Sequence, residues 1–223
     1  MTLPLPPEDA ARLGDFPPLQ PPPGKLAPFW RLYHHFDPDT GAARSPFWFA
    51  SAEPDDAGGG RYDLPQPLGA NYWAGTPAGA WLEVFRGTLL IDAADLRRRR
   101  LARTRAPRKL HLANLLVKAA HRFGLTADIH TSLDHSTTRR WAAAWQRAGF
   151  HGIWGKVGHD PTVELKTLTL LDGSGEHEPF GWDWELRATA PAQDLTLLQE
   201  MAAWGYRSAE VPQDVIVSVP PDA

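Results

Sequence analysis

Proline is the residue that most limits how this chain can fold, and it is concentrated at the start. Nine of the 22 prolines lie within residues 1–28, including the run Pro21-Pro22-Pro23. Proline lacks the backbone N–H that a helix interior needs, and it favours extended polyproline conformation. We therefore expect residues 1–28 to be a surface tail or a loose leader, with folded structure starting at Phe29. A ligand for a proline-binding partner is the alternative.

The composition of the 223-residue chain is that of a globular protein. Hydrophobic residues make up 43% and charged residues 22%, which rules out a wholly disordered chain. No apolar stretch approaches the roughly 18 residues of a membrane span, and nothing resembles a secretion signal, so we expect a cytoplasmic protein without membrane contact. The absence of cysteine excludes disulfides and thiolate sites. A net charge of −3 argues against a globally basic nucleic-acid binder.

Short clusters of aromatic and β-branched residues predict the strands of a sheet. The predicted strands are 29–33, 47–49, 71–74, 88–92, 152–154, 163–171 and 215–219. Tyr72 is placed at the opening of its strand, and 88–92 is apolar enough to be a buried strand. The glycines at 58–60 form one of the turns between strands.

Helices are predicted from caps and from apolar residues three or four positions apart. Thr76 followed by Pro77 favours a helix start and Gly87 a stop, so the first predicted helix runs from Pro77 to Phe85. The other predicted helices are 112–123, 136–148 with Ser136 as its cap, and 193–204. Strands and helices alternate without a regular βαβ rhythm, so the predicted class is α+β rather than a doubly wound sheet.

Several common cofactor and nucleophile motifs are missing. The chain has no Gly-x-Gly-x-x-Gly before a helix, no Gly-Lys-Ser/Thr phosphate loop and no Gly-x-Ser-x-Gly elbow. The nine histidines form no His-Glu-x-x-His pattern, and the adjacent His34 and His35 would point to opposite faces of a strand. We therefore expect no metal ion, no Rossmann site and no hydrolase triad.

Residues 97–109 carry eight basic side chains and no acidic one. Such a run can attract anions or nucleic acid to one face of a protein. A solvated segment and a surface for an acidic partner are the other interpretations. Aromatic residues are not interleaved with the run, which weakens the case for single-stranded nucleic acid.

Four features follow one another in an informative order. Arg31 follows Trp30, Gly60-Arg61-Tyr62 follows the glycine turn, Tyr72-Trp73-Ala74 lies in the next strand, and Glu83 lies in the helix after it. Tyr72 comes eleven residues after Arg61, and Glu83 eleven residues after Tyr72. This order resembles the RES domain, the toxin of a family of bacterial toxin–antitoxin pairs. The resemblance extends over roughly residues 29–172.

The resemblance implies a fold, an activity and a partner. The fold would be an ADP-ribosyltransferase-like mixed sheet with flanking helices, in a domain of NAD-binding type over residues 29–181. A Pro-rich N-terminal segment, 1–28, and an extension packed on the domain, 182–223, would make up the rest of the chain. Members of the family consume NAD by breaking the nicotinamide–ribose bond, as glycohydrolases, phosphorylases or ADP-ribosyltransferases. Their usual partner is a helix-turn-helix antitoxin, and a homo-oligomer is a further possibility.

Four residues carry the expected site. Arg31 and Arg61 would bind the phosphates of NAD, because planar guanidinium groups make paired charge-assisted bonds to phosphate oxygens. Tyr72 would border the nicotinamide ring and take part in catalysis. Glu83 would stabilise the positive charge that builds on the ribose as the glycosidic bond breaks, or hold the ribose hydroxyls.

The chain departs from the family pattern at one place. The family has an active-site serine after its glycine-containing strand, and that position falls near Val157 here. The next hydroxyl along the chain belongs to Thr162. Lys156 or His159 takes over the role, or the protein is a catalytically altered relative that acts by binding a nucleotide or a protein.

Overall fold

The fold comes from a computed structural model, which describes residues 3–7, 10–19, 28–37, 40–105, 110–191 and 194–210. Twelve strands lie in these ranges. They are β1 (Pro18–Leu19), β2 (Phe29–His34), β3 (Trp48–Phe49), β4 (Leu68–Ala74), β5 (Leu90–Asp92), β6 (Arg99–Arg105), β7 (Leu112–Asn114), β8 (Gly152–Lys156), β9 (Lys166–Gly173), β10 (Gly175–Glu176), β11 (Glu185–Thr189) and β12 (Arg207–Ala209).

Five α-helices flank these strands. They are α1 (Pro77–Phe85), α2 (Ala93–Arg98), α3 (Asp128–Thr131), α4 (His135–Arg147) and α5 (Leu195–Ala203). Short 3₁₀ turns lie at Ala10–Asp15, Lys118–Phe123 and Pro179–Gly181. Within the portion of the chain that the structure describes, no helix has the length and apolarity needed to cross a membrane.

The main sheet has eight strands in the order β1-β7-β8-β9-β4-β2-β6-β11. Strands β7 and β8 are parallel, and the other neighbours are antiparallel. Two small sheets, β3 with β10 and β5 with β12, lie outside it. The predicted α+β class, with a mixed sheet core and flanking helices, is therefore confirmed.

Helices cover the sheet through separate groups of apolar side chains. Trp141 and Trp145 of α4 have no exposed surface and pack against Ile153 of β8. Elsewhere on the sheet, Trp81 and Leu82 of α1 pack with residues of α5 and β6. Helix α1 begins where predicted, because the Thr76 hydroxyl accepts a hydrogen bond from the Gly79 N–H and Pro77 occupies the first turn.

The described residues 3–7 and 10–19 belong to the fold rather than to a loose leader. Leu13 and Phe16 are fully buried in the core around α4. The indole N–H of Trp141 donates to the carbonyl of Pro4 at 2.8 Å, and β1 adds an edge strand beside β7. The expectation that folded structure starts at Phe29 was wrong, because prolines at a sheet edge and in turns are compatible with packing.

The predicted helix 112–123 was also wrong. Leu112–Asn114 instead forms β7, paired with β8, and only Lys118–Phe123 turns as a 3₁₀ segment. The apolar spacing arises because Leu112 and Leu115 are buried by the sheet while Val117 is 37% exposed. A pattern of this length does not separate a helix from a strand followed by a turn.

Other elements differ from the prediction at their ends. Strand 88–92 is shortened to β5, and it is buried only at Ile91, since Leu90 is 61% exposed. Tyr72 lies near the end of β4 rather than at its opening. Helix α4 is capped by Asp134 instead of Ser136, and β9 begins at Lys166 rather than at 163. The predicted strand 215–219 lies outside the described residues.

Up to Arg105, the basic run forms regular secondary structure and not a solvated loop. Its first residues end α2, and the run continues as β6, between β2 and β11 in the main sheet. Arg97 pairs with Glu210, and Arg99 pairs with Asp95 at 3.0 Å. Some of the positive charge is therefore neutralised within the fold.

Candidate active site

A cleft of about 220 Å³ opens where α1 crosses the ends of β2 and β4. Its remaining walls come from the glycine turn before β4, from the start of α4 and from the loop after β8. All four predicted site residues line this cleft. They are Arg31 from β2, Arg61 from the glycine turn, Tyr72 from β4 and Glu83 from α1.

Glu83 has an unusual environment for a carboxylate. It lies on the cleft side of an otherwise apolar helix, and burial raises its pKa to about 7. The nearby guanidinium groups of Arg61 and Arg86 and a hydrogen bond from the Gly158 N–H oppose this increase. Glu83 therefore changes between its neutral and ionised forms close to neutral pH, as expected of a functional carboxyl group.

Helix α1 can bring Glu83 to the sheet because of a small residue. A Cβ atom built on Gly79 would lie 3.0 Å from the Cβ of Ala74 and 3.5 Å from Val157. Glycine at position 79 therefore allows the first turn of α1 to approach the end of β4. Glu83 follows one turn later, facing the cleft.

The hydroxyl of Tyr72 is fully engaged. It donates to Oδ1 of Asp63 at 2.7 Å and accepts from the N–H of Tyr62 at 2.9 Å. Oδ2 of Asp63 accepts from the Gly60 N–H at 2.6 Å. Burial, followed by the effect of Asp63, raises the Tyr72 pKa well above its usual value of 10. Tyr72 thus fixes the turn that carries Arg61 and presents its ring, rather than a free hydroxyl, to the cleft.

Arg61 is held in place at both its backbone and its side chain. Its guanidinium donates to the carbonyl of Ser132 at 2.6 Å. Its own carbonyl accepts from the hydroxyl of Thr138 in α4, at 2.5 Å. A Cβ atom on Gly158 would lie 3.2 Å from Nη2 of Arg61, so the guanidinium lies directly against the loop after β8.

Arg31 has an unsatisfied side chain. Its Nη2 donates to the carbonyl of Trp48 at 3.2 Å, whereas its Nη1 is buried without a hydrogen-bond partner among the described residues. Burial lowers the Arg31 pKa to about 10. A buried guanidinium with an unused donor group favours an anionic ligand, because such donors are costly to leave unpaired.

A second buried arginine supports the glycine turn. Arg139 of α4 is 1% exposed and donates to the carbonyls of Glu53, Pro54, Asp56 and Gly60. Arg139 therefore fixes the turn through its backbone carbonyls, in addition to the bonds made by Asp63. Gly59 lies so close to Arg139 that a Cβ atom would lie 2.6 Å from Nη2.

Two histidines complete the wall of the cleft. His135, at the start of α4, bonds the carbonyl of Gly59 through Nδ1 at 3.1 Å. Burial is the main cause that lowers the pKa of both His135 and His159, and Arg61 and Arg86 lower them further. Both rings are therefore neutral at pH 7, and the positive charge of the cleft comes from its arginines.

The chain matches a known protein family over most of the residues that form the cleft. The family model of the RES domain matches residues 28–155, more than half of the chain. The chain belongs to the RES-domain family. Among solved structures, it is similar to one described as the crystal structure of the M. tuberculosis MbcT–MbcA toxin–antitoxin complex. The identity is 20%, the alignment covers 79% of this chain and 89% of that chain, and the TM-score is 0.48. No match was found among curated proteins.

Val157, near which the serine of the family was expected, is a core residue. Val157 is 2% exposed and packs with the apolar side chains around α1, and its N–H donates to the carbonyl of Leu165. Its neighbours Gly158 and His159 line the cleft. The hydroxyl of Thr162 donates to Asp160, which also accepts from the backbone N–H groups of Glu164 and Leu165. Among the described residues that line the cleft, the only hydroxyl is that of Tyr72.

Lys156 and His159 were the predicted replacements for that serine. His159 lines the cleft of this RES protein, whereas Lys156 belongs to β8 and lies along a separate groove behind α3. The basic residues 97–105 do not line the cleft. Among the described residues, no group of three or more His, Cys, Asp or Glu side chains is placed to hold a metal ion.

Sequence reasoning missed several residues of the RES site. Asp63 lies three residues after Gly60, a spacing typical of a side chain that closes a turn, and this signal could have identified it. Arg139 is adjacent to the apolar face of α4, and nothing in the sequence marks it as buried. Arg86 follows Glu83 by three residues at the end of α1, and this spacing could have identified it. His135 reaches the cleft only through the folding of a separate element, α4.

Proposed function

We propose that this RES protein consumes NAD by breaking the bond between nicotinamide and ribose. The observation that carries the proposal is the meeting of Glu83, whose pKa is near neutral, with Arg31 and Arg61 in one cleft. Family membership supports the same activity. It also favours a toxin role with an antitoxin partner of helix-turn-helix type.

The arginines supply the binding of the pyrophosphate. The unpartnered Nη1 of Arg31 provides a donor that the described residues do not use. Arg61 uses one nitrogen for the carbonyl of Ser132 and lies against the loop after β8. Phosphate oxygens of NAD are suited to both groups, since charge-assisted bonds to guanidinium are strong and directional. The enclosed volume is below the usual 300–1,000 Å³ of ligand pockets, so one end of the dinucleotide would extend along the open rim.

Glu83 supplies the chemistry. When the glycosidic bond breaks, its electron pair leaves with nicotinamide and positive charge develops on the ribose, as in glycosidases. An ionised carboxylate beside that carbon stabilises the charge. The acceptor oxygen, from water, phosphate or a protein side chain, then forms the new bond to the ribose and loses its proton. The ring of Tyr72 borders the nicotinamide, and its hydroxyl keeps Arg61 in place through Asp63.

The experiment is NAD turnover by the purified protein, with product identification by mass spectrometry in the presence and absence of phosphate. We expect release of nicotinamide by the wild type and a loss of at least 100-fold in Glu83→Gln, in the range of one removed charge-stabilising group. Glu200→Gln, which changes an exposed glutamate of α5, is the matched control. Equal turnover by Glu83→Gln and Glu200→Gln would exclude the proposed role of Glu83.

The second candidate function is NAD binding without turnover. It is favoured by one observation, the burial of Val157, near which we expect the serine of the family. Calorimetry distinguishes the two functions. If the folded protein binds NAD but releases no nicotinamide, the binding role is supported. No acceptor of ADP-ribose is then involved.

A further inference from the structure

The end of helix α1 has a backbone conformation that is unusual for its residue. Arg86 has φ 50° and ψ −125°, although the next residue is a glycine that would adopt it more easily. Its N–H still donates to the carbonyl of Leu82, at 2.9 Å. A side chain in a sparsely populated region of this kind destabilises the fold and persists only where the surrounding structure imposes it.

The restraint comes from the C-terminal region of the chain. The hydroxyl of Tyr206 donates a hydrogen bond to the carbonyl of Arg86. Tyr206 is 6% exposed and its ring packs edge-on against Trp81 of α1. The next residue, Arg207, donates its N–H to the carbonyl of Leu89 and begins the strand that pairs with β5. These restraining residues lie outside the family match, which ends at residue 155.

The unusual conformation places a positive charge at the cleft. Arg86 lines it together with Glu83 and His159. Its charge acts on Glu83, His135 and His159, whereas the charges acting on Arg31 come from other residues. Arg86 makes no salt bridge with any described acidic residue. Its guanidinium is therefore available to a ligand in the cleft.

We propose that Arg86 binds a phosphate group in the cleft and that Tyr206 positions it by fixing its backbone. Tyr206 thereby contributes to the binding site indirectly, because it does not itself line the cleft. When the phosphate is that of NAD, this inference rests on the proposed function. A free phosphate acting as acceptor is the other source of the same chemistry.

The test uses Arg86→Gly, which removes the guanidinium and relieves the backbone, together with Arg86→Lys and Tyr206→Phe. We expect Arg86→Gly to melt at the same or a higher temperature than the wild type while its KM for NAD, or for phosphate if phosphate is the acceptor, rises roughly tenfold or more. Arg86→Lys should retain some of the affinity. Tyr206→Phe should raise the same KM with little change in kcat.

The double variant separates positioning from a general structural effect. If Tyr206 acts through Arg86, Tyr206→Phe will not raise KM further when Arg86 is already glycine. Tyr33→Phe, which removes the hydroxyl of a residue that does not line the cleft, should leave KM unchanged. An unchanged KM in Arg86→Gly would overturn the assignment, as would an equal effect of Tyr206→Phe in both backgrounds.

Failure of the proposed function has a different signature. Calorimetric titration with ADP-ribose and with inorganic phosphate measures binding without any turnover. The wild type could consume no NAD and still bind either probe, with the affinity lost in Arg86→Gly. That result would support the phosphate site at Arg86 and contradict the proposed NAD-consuming activity. Turnover that depends on Glu83 but not on Arg86 would support the NAD-consuming activity and overturn the phosphate site at Arg86.

Discussion

The hydroxyl of Tyr72 lies 2.7 Å from Oδ1 of Asp63, and this hydrogen bond joins the central strand β4 to the turn that carries Arg61. Asp63 is 3% exposed, and burial raises its pKa above the usual value. The bonds from Tyr72 and from the Gly60 N–H counteract that increase. A single buried pair thus couples the stability of the turn to the geometry of the cleft.

Replacing Tyr72 by phenylalanine should therefore lower the stability of the turn and disturb the geometry of the cleft. The Asp63 carboxylate and the Tyr62 N–H would each lose a partner inside the protein, at a cost of about 1–3 kcal/mol in the free energy of unfolding. Urea denaturation measures this, with Tyr33→Phe as the control that should change little. Identical unfolding midpoints for the two variants would show that the Tyr72 bond does not stabilise the turn.

Gly60 cannot accept a side chain without disturbing the same pair. A Cβ atom would lie 2.7 Å from the Tyr72 hydroxyl oxygen and 2.9 Å from Oδ1 of Asp63. We expect Gly60→Ala to lower the free energy of unfolding by about 1–3 kcal/mol and to weaken NAD binding. Gly87→Ala is the control, since nothing lies within 4 Å of its Cβ position among the described residues. A thermal melt in which both variants match the wild type would contradict the close packing.

Arg139 and Arg140 are neighbours on α4 with opposite surroundings. Arg139 is buried and donates to four carbonyls, whereas Arg140 is exposed and makes one ion pair of 3.4 Å with Asp55. Arg139→Met should cost about 2–4 kcal/mol because buried carbonyls lose their donors. Arg140→Met should cost less than about 0.5 kcal/mol. Comparable losses in the two variants, measured by denaturant unfolding, would refute this contrast.

The raised pKa of Glu83 predicts how stability changes with pH. Between pH 4.5 and about 7 the folded protein keeps a proton on Glu83 that the unfolded chain has lost. Stability therefore falls as pH rises through this range, by at most about 3 kcal/mol, and is independent of this group outside it. Glu83→Gln lacks the effect, so its advantage over the wild type should grow from pH 4.5 to 7. A constant difference across that range would disprove the shift.

Activity should depend on pH in the opposite direction. Only the ionised carboxylate stabilises positive charge on the ribose, so kcat/KM should rise with pH and level off above about 7. Initial rates of nicotinamide release between pH 5 and 9 measure this. A rate that falls as Glu83 ionises would require the carboxyl group to act as an acid instead.

The part of the candidate site that could be predicted from the sequence is the part carried by local signals. Arg31, Arg61, Tyr72 and Glu83 were named because of their RES-like order, and the structure brings them to one cleft. Helix α1 was found because Thr76 and Pro77 mark its start. The burial of Arg139 is decided by the tertiary structure, and no spacing rule reports that burial.

The misplaced elements have a similar cause. Leu112 and Leu115 are apolar because a sheet and a turn bury them, and their spacing happens to match a helix. The leading prolines were interpreted as a tail because the burial of Leu13 and Phe16 depends on α4, more than 100 residues later. The structure of these regions depends on burial by elements that are distant in the chain, and the local composition does not report that burial.

The bond between Tyr206 and Arg86 also sets an order of events during synthesis. The backbone of Arg86 emerges from the ribosome long before residue 206 has been added, and until then nothing in the C-terminal segment can hold it. The cleft walls contributed by β2, β4 and α1 can assemble earlier. A nascent chain would therefore carry Glu83 in its helix before Arg86 is held beside it, and this wall of the cleft would form only after residue 206 has emerged.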